Sequence, residues 1–197
     1  MNTEETKDRP VVFRQSKRVV LRPLEDGDGH YFVRWLNDPE VSIFLSTAFP
    51  KTLAIEKEWL EKLHKNQDHE MVFMMVVDGK SIGTMGLHGI NWIYRIATTG
   101  AVIGEKAYWG KGYGSEAKML VLDYAFNTLN LRKICSSVIA FNKRSYDYSR
   151  KCGYVEEGRR KEHFFIRGRF WDEIQLAVFK RSWLPLWCKF KKEHGIK

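Results

Sequence analysis

The sequence predicts an α+β domain with a mixed, mostly antiparallel sheet, and three observations support this prediction. Short β-like runs and amphipathic helical patterns alternate along 197 residues, a length typical of one domain. Two pairs of neighbouring β-like runs, Met71–Val77 with Ser81–Leu87 and Tyr154–Ile166 with Arg169–Phe179, are separated by short turn sequences, as antiparallel strands are. In the middle, a glycine-rich loop and a helix connect one β-like run to the next, which is a crossover connection.

The first elements are one strand and two helices. Lys17–Arg22 predicts a strand that ends at Pro23, which has no backbone N–H. Glu25-Asp26 open a helix whose aromatic and leucine side chains recur at helical spacing, and Asn37-Asp38-Pro39 end it. Thr52 begins a second helical pattern.

A hairpin and the crossover follow. Met71–Val77 and Ser81–Leu87 predict two strands, because Asp78-Gly79 between them is a two-residue turn sequence. A third strand, Ala97–Gly104, precedes the glycine-rich loop and the helix Ser115–Thr128. We expect this helix to return the chain to the same sheet.

The last predicted elements are a strand, a helix and a second hairpin. Lys133–Phe141 is β-like, and Ser145–Lys151 is helical. Tyr154–Ile166 and Arg169–Phe179 form a hairpin around Arg167-Gly168. We therefore divide the chain into a polar N-terminal arm (residues 1–16), one folded domain (17–181) and a basic, aromatic C-terminal tail (182–197).

Composition excludes several classes of protein. Lys and Arg number 33 against 24 Asp and Glu, a net charge of +9, but no nucleic-acid-binding motif accompanies this charge. No apolar run approaches the ~20 residues of a membrane-spanning helix, and the polar first residues do not resemble a secretory signal. The three cysteines are too few for a disulfide framework, and neither they nor the histidines have metal-ligand spacing. We expect a cytoplasmic protein with no metal, membrane or nucleic-acid partner.

The glycine-rich loop is the most informative segment. Gly110, Gly112 and Gly114 alternate between a strand and a helix, where backbone N–H groups and the helix dipole favour a phosphate. A Walker loop would need Ser or Thr at Gly112, and a dinucleotide fingerprint would need glycine at Ser115. A flexible turn before a helix is the alternative interpretation.

Two further segments give the loop a context. Asn142-Lys143-Arg144-Ser145 follows a predicted strand, and Lys151-Cys152-Gly153-Tyr154 ends the next helix. Together with Trp109–Ala117, these segments resemble the Gcn5-related N-acetyltransferase family, most closely the branch that contains ribosomal-protein N-terminal acetyltransferases and spermidine acetyltransferases. Leu21–Leu24 and Trp35–Glu40 also resemble the opening strand and first helix of that branch.

This resemblance implies a fold, a co-substrate and a reaction. The sheet would be splayed at its centre, with helices on both faces, and residues 17–181 would form the acetyltransferase domain. Acetyl-CoA would donate its acetyl group directly to a primary amine. A protein N-terminal amine is the favoured acceptor, followed by a polyamine, an amino sugar or an aminoglycoside. The alternative is a CoA-binding regulatory or nucleic-acid-associated module without catalysis.

The resemblance also implies which residues bind the co-substrate. Backbone N–H groups of the loop would hold the CoA pyrophosphate, strand residues would pair with the pantetheine arm, and the Asn-Lys-Arg block would contact the far side of the molecule. These residues are Val102, Ile103, Gly104, Trp109, Gly110, Lys111, Gly112, Tyr113, Gly114, Ser115, Asn142, Lys143 and Arg144.

The catalytic positions depart from the family pattern. Many relatives have a tyrosine acid four residues before the glycine at Gly153, and here that position is Ser149, with Tyr148 as its rival. Many also have a glutamate base on the central strand, where this chain has Thr98. The base is left open between a water chain and three side chains, Glu105, Asp147 and His88.

The C-terminal tail combines aromatic residues at helical spacing with basic flanks over Trp183–Lys192. A helix on a membrane surface would have this pattern. We favour packing of the tail across its own domain or across a twin subunit, the second of which would make a homodimer.

Overall fold

The computed structural model describes residues 11–45, 47 and 49–196. They form one mixed sheet in the order β1-β2-β3-β4-β5-β6-β8-β7, in which only β5 and β6 are parallel. The strands are β1 (Arg14–Gln15), β2 (Val20–Pro23), β3 (Met71–Val77), β4 (Lys80–Asn91), β5 (Ile96–Ile103), β6 (Lys133–Ile139), β7 (Val155–Ile166) and β8 (Arg169–Phe179). The helices are α1 (Gly29–Leu36), α2 (Pro39–Ser42), α3 (Leu53–Lys65), α4 (Tyr113–Asp123), α5 (Lys143–Lys151) and α6 (Lys180–His194).

The helices cover both faces of the sheet and so create two apolar clusters. Neighbouring strand residues point to opposite faces, and Met74 and Met75, both fully buried, belong to different clusters. α1 and α3 complete the smaller cluster with Trp35 and Leu60, and α4 contributes to the larger one. The predicted α+β class, with a mostly antiparallel sheet and helices on both faces, is confirmed.

The two hairpin turns that the sequence predicts are present in the structure. Asp78 and Gly79 have φ of 49° and 74°, and Arg167 and Gly168 have φ of 51° and 74°. Two consecutive left-handed residues match the right-handed twist of the strands on either side. These turns set the register next to them, Val77 opposite Lys80 and Ile166 opposite Arg169, and both strand pairs shift register farther from the turn.

Two elements extend beyond their predicted bounds. The strand expected to end at Leu87 continues to Asn91 through an irregular register after His88. The helix expected over Ser115–Thr128 begins at Tyr113, and its last turn, Tyr124–Thr128, is a π-helix. Gly112, with φ 89°, allows the earlier start by turning the chain into the helix.

The two ends of the described chain pack on the domain. The first ten residues of the predicted N-terminal arm lie outside the described residues, while Phe13 stacks on Phe73 with ring centroids 4.5 Å apart. The tail forms α6, and both Trp183 and Trp187 are buried in the larger cluster. Their rings stack at 5.3 Å. Among the described helices, none is long and apolar enough to cross a membrane.

Candidate active site

The sheet opens at its centre, where β5 and β6 separate. These strands pair only from Ile96 opposite Lys133 to Thr98 opposite Cys135. Beyond that point β5 keeps β4 as its partner, and its other edge faces a cavity of about 1200 Å³. Ser136–Ile139 of β6 line the same cavity. Strand edges that separate in this way can offer backbone N–H and C=O groups to an extended ligand between them.

The glycine-rich loop closes one end of this cavity. Gly110 and Gly112 have φ of 75° and 89°, which favour glycine. Intrahelical bonding of α4 begins with the Ser115 N–H, which donates to the Gly112 carbonyl at 3.0 Å. The N–H groups of Tyr113 and Gly114 precede this bond, so they can donate to an anion at the positive end of the helix dipole.

An indole and a guanidinium form the adjacent wall. The Trp109 Nε1–H donates to the Ile103 carbonyl at 2.6 Å and thereby fastens the loop to the end of β5. The Arg144 guanidinium lies 4.0 Å from the Trp109 ring centroid and 5.0 Å from that of Phe44. Burial lowers the pKa of Arg144, yet an arginine keeps its charge in proteins. The wall therefore presents a fixed cation to the cavity.

Most of the residues that the sequence assigns to the co-substrate line this cavity. They are Val102, Ile103, Trp109, Gly110, Gly112, Tyr113, Gly114, Ser115, Asn142 and Arg144. The side chain of Asn142 also caps the N-terminus of α5. Gly104, Lys111 and Lys143 are not part of the lining. A Cβ at Gly104 would overlap the Trp35 indole, so this glycine allows α1 to pack on the sheet.

The two candidate acids occupy different environments. Ser149 is fully buried, and its Oγ accepts a hydrogen bond from Lys118 Nζ at 3.0 Å. Tyr148 lines the cavity, whereas Ser149 does not. The structure therefore places Tyr148, and not Ser149, where a ligand can meet it.

Lys118 is one of the residues at this site that sequence reasoning missed. Its ammonium is fully buried and lies 4.3 Å from the Tyr148 ring centroid and 4.6 Å from that of Tyr154. The Tyr154 hydroxyl is 2.8 Å from the Thr99 Oγ1, and burial raises its pKa well above the usual value. The signal for Lys118 in the sequence is a lysine between apolar residues, Ala117 before it and Met119–Leu122 after it.

The contacts of the three candidate bases also distinguish them from one another. Glu105 accepts from Trp35 Nε1 at 2.8 Å and forms an ion pair with Arg34, so both partners hold it away from the cavity. Asp147 and His88 line the cavity. Of these two, His88 has an acidic neighbour of its own, because its Nδ1 lies 3.3 Å from Glu70 Oε1.

Carboxylates reach the cavity from α3 as well as from α5. Glu56 and Glu58 of α3 line it, as does Asp147 of α5. Glu56 is nearly inaccessible to solvent, which raises its pKa, and Lys51 Nζ lies 3.8 Å from its Oε1. Glu58 forms an ion pair with Lys62 at 2.7 Å. The cavity can therefore receive cationic groups.

Comparison with known proteins identifies the family of this chain. The acetyltransferase (GNAT) domain model matches residues 18–155. The chain is 31% identical to spermidine N(1)-acetyltransferase of Escherichia coli K12 over 166 residues, which cover 84% of this chain and 88% of that protein. It is 30% identical to spermidine N(1)-acetyltransferase of Vibrio cholerae over 172 residues, covering 86% and 97% of the two chains.

A solved structure resembles the whole arrangement. The crystal structure of spermidine N-acetyltransferase from Vibrio cholerae in complex with CoA and spermine superimposes with a TM-score of 0.79 at 29% identity. The match covers 85% of this chain and 98% of that one. The resemblance indicated by the glycine loop and the Asn-Lys-Arg block is thus confirmed, and the splayed sheet, the loop and the Arg144 guanidinium fit the co-substrate of that family. The chain belongs to the GNAT acetyltransferases and is an N-acetyltransferase that uses acetyl-CoA.

Proposed function

We propose that this enzyme transfers the acetyl group of acetyl-CoA to a primary amine of a polyamine. The observation that carries this proposal is the set of carboxylates that line the cavity from two helices, Glu56 and Glu58 on α3 and Asp147 on α5. A polyamine has several ammonium groups along a flexible chain, and carboxylates at separate positions can bind them together. The similarity to spermidine acetyltransferases supports the same acceptor.

The charges of the cavity refine this proposal. The net charge of +9 disfavours a polycation at long range, but such repulsion is screened within about 10 Å at moderate salt. Near the carboxylates the acceptor competes with Lys51 and Lys62, which pair with Glu56 and Glu58. Replacing Lys62 with Gln should therefore lower the KM for the polyamine, whereas Glu58→Gln should raise it.

The reaction joins the amine nitrogen to the acetyl carbon and breaks the carbon–sulfur bond. An aliphatic ammonium, with a pKa of about 10.4, must first lose a proton. Holding the amine and the thioester in line supplies much of the acceleration, about 7–11 kcal/mol for well-oriented groups. The rigid β5 edge and the loop fastened by Trp109 support this orientation.

The co-substrate assignment rests on the loop. We propose that Gly110–Ser115 bind the pyrophosphate, that Arg144 neutralises a phosphate, and that Val102 and Ile103 pair with the pantetheine arm through their backbone. Gly112→Val should weaken acetyl-CoA binding at least tenfold in calorimetry, because its φ of 89° is strained for a β-branched residue. Unchanged affinity in a folded variant would contradict this assignment.

We propose that Tyr148 protonates the departing thiolate. Its place in the cavity wall supports this role, and the full burial of Ser149 against Lys118 argues for a supporting role of that serine. Tyr148→Phe should reduce kcat on the order of 100-fold, while acetyl-CoA affinity stays within a factor of two. A Ser149→Ala variant with the larger loss of kcat, in a folded protein, would restore the serine as the acid.

The first experiment incubates the full chain and acetyl-CoA with spermidine, spermine, basic N-terminal peptides and aminoglycosides, and identifies products by mass spectrometry. Acetylated polyamine supports the proposal, and acetylated peptide with unmodified polyamine would replace it by the protein N-terminal acceptor. Binding of acetyl-CoA without any product would favour a non-catalytic module.

The free thiols Cys135, Cys152 and Cys188 support our proposal of a cytoplasmic enzyme. The homodimer stays a prediction, which light scattering can test.

A further inference from the structure

His88 lines the cleft from β4, the strand that pairs with β5. It is the direct cross-strand neighbour of Thr98 in the register of β4 with β5. Directly opposed residues of antiparallel strands share one face of the sheet. Thr98 stands where the family resemblance would place a glutamate base, so the imidazole is the titratable side chain next to that position.

Two glycines determine where the imidazole lies. A Cβ at Gly100 would lie 2.9 Å from His88 Nε2, and a Cβ at Gly86 would lie 3.0 Å from the same atom. Gly86 and Gly100 are themselves opposed in the register. The ring therefore packs on the backbone of these two glycines, one on β4 and one on β5. A larger residue at Gly100 would displace it.

An acidic neighbour fixes the role of each ring nitrogen. Nδ1 lies 3.3 Å from Glu70 Oε1, so a proton on Nδ1 can be donated to this carboxylate. Nε2 is then the nitrogen with the lone pair, and it is the one that lies over Gly100. His88 itself lines the cavity.

We infer that His88 is the general base that deprotonates the acceptor ammonium, and that Glu70 is its positioning residue. The inference rests on the proposed amine acetylation. The ammonium gives one proton to His88 Nε2, the nitrogen forms its bond to the acetyl carbon, and the carbon–sulfur bond breaks. A second proton from the nitrogen replaces the one that Tyr148 gives to the thiolate, and His88 returns its proton to water. Each proton of the ammonium is thereby accounted for, since the third stays on the amide.

The charged groups around the imidazole set the conditions of the test. Glu70 faces it directly, and β5 contributes no titratable side chain at Thr98 or Gly100. Other charged residues of the same cavity lie on neighbouring elements, namely Lys51, Glu56, Glu58, Lys62, Arg144, Asp147 and Lys151. Measurements at constant ionic strength keep their screened contributions the same across pH.

The test compares His88→Gln with a matched control, His64→Gln. The side chains of His64 and His88 are both 38% exposed, and each has an acidic neighbour, but His64 does not line the cavity. We expect His88→Gln to lose kcat/KM on the order of 100-fold near neutral pH, and His64→Gln to match the unmodified enzyme. Glu70→Gln should lose on the order of tenfold, because the carboxylate orients the ring and stabilises its cation.

The pH profile distinguishes a base from a structural residue. In the unmodified enzyme the pH profile of kcat/KM should contain an inflection that His88→Gln lacks. An unchanged inflection in His88→Gln, or a rise of the polyamine KM without loss of kcat, would overturn the inference. If the unmodified chain acetylates no amine, the proposed function fails instead. Acetyl-CoA affinity by calorimetry, expected within twofold for all variants, shows that each variant is folded.

Discussion

The hydrogen bond between Lys118 and Ser149 allows a sharp prediction about stability. The ammonium's described partners are all uncharged: the Ser149 Oγ at 3.0 Å and the rings of Tyr148 and Tyr154. A hydrogen bond from a charged group contributes about 1.5–3 kcal/mol, and a desolvated cation over an aromatic face contributes about 2 kcal/mol. The summed gain of about 6 kcal/mol opposes a desolvation cost of several kcal/mol for a buried ammonium.

Because these contributions oppose each other, the effect of Ser149→Ala on the free energy of unfolding should change sign when Lys118 is also replaced. Ser149→Ala alone removes the only hydrogen-bonding partner described for a buried ammonium and should lower the free energy of unfolding by about 2 kcal/mol or more. In a Lys118→Met background the serine hydroxyl has lost its donor, so the same Ser149→Ala change should raise the free energy of unfolding by about 1 kcal/mol. Lys118→Met itself should stay within about 2 kcal/mol of the unmodified chain, since methionine fills the same length.

Urea unfolding at pH 7, followed by circular dichroism, measures all four proteins. A coupling energy below about 0.5 kcal/mol, with Ser149→Ala equally destabilising in both backgrounds, would refute the reasoning about the buried ammonium. The same variants connect stability with catalysis. Lys118→Met should reduce kcat with little effect on acetyl-CoA affinity, because the ammonium that holds the Tyr148 ring is lost.

Three further predictions concern other buried positions. Burial raises the pKa of the Cys152 thiol to about 11, above the 9.0 of an exposed thiol, so this thiol stays neutral in the fold while an unfolded one ionises. Stability should therefore fall between pH 9 and 11, by about 1.4 kcal/mol at pH 10, relative to Cys152→Ala measured by the same urea series. Gly104→Ala should cost about 1–3 kcal/mol in thermal or urea unfolding because its methyl group meets Trp35, and Gly27→Ala, with open space around it, is the control that should not. Trp183→Ala should cost about 3–5 kcal/mol, whereas its exposed neighbour Leu184→Ala should stay within about 0.5 kcal/mol; equal effects would contradict the packing of α6.

Local chemistry made much of the fold predictable. Met71–Val77 is a strand with the predicted bounds, because an apolar run is followed by a turn sequence that two-residue hairpins favour. Thr52 caps α3 as expected, its Oγ1 accepting from the Ile55 N–H at 3.3 Å. The glycine loop was predictable for the same reason. Gly110 and Gly112 have left-handed φ values, which favour glycine, so the backbone conformation is visible in the residue type.

The parts that were not predictable depend on register between distant segments. Nothing near His88 in the sequence indicates that it lies opposite Thr98 and over Gly100, because these contacts follow from the pairing of β4 with β5. The same holds for Lys118 and Ser149, which are 31 residues apart. Family position alone favoured Ser149 over Tyr148, and only the packing of α5 against α4 shows which of the two lines the cavity.

The separation of β5 and β6 has a consequence for the protein when it is empty. Exposed strand edges are templates for pairing with other chains, and most proteins protect them. Here two such edges lie inside one cleft, where an extended molecule between them would complete the sheet. A ligand present at 100 times its Kd stabilises a fold by about 2.7 kcal/mol. Storage with CoA should therefore keep this protein dispersed at temperatures at which the empty protein slowly precipitates.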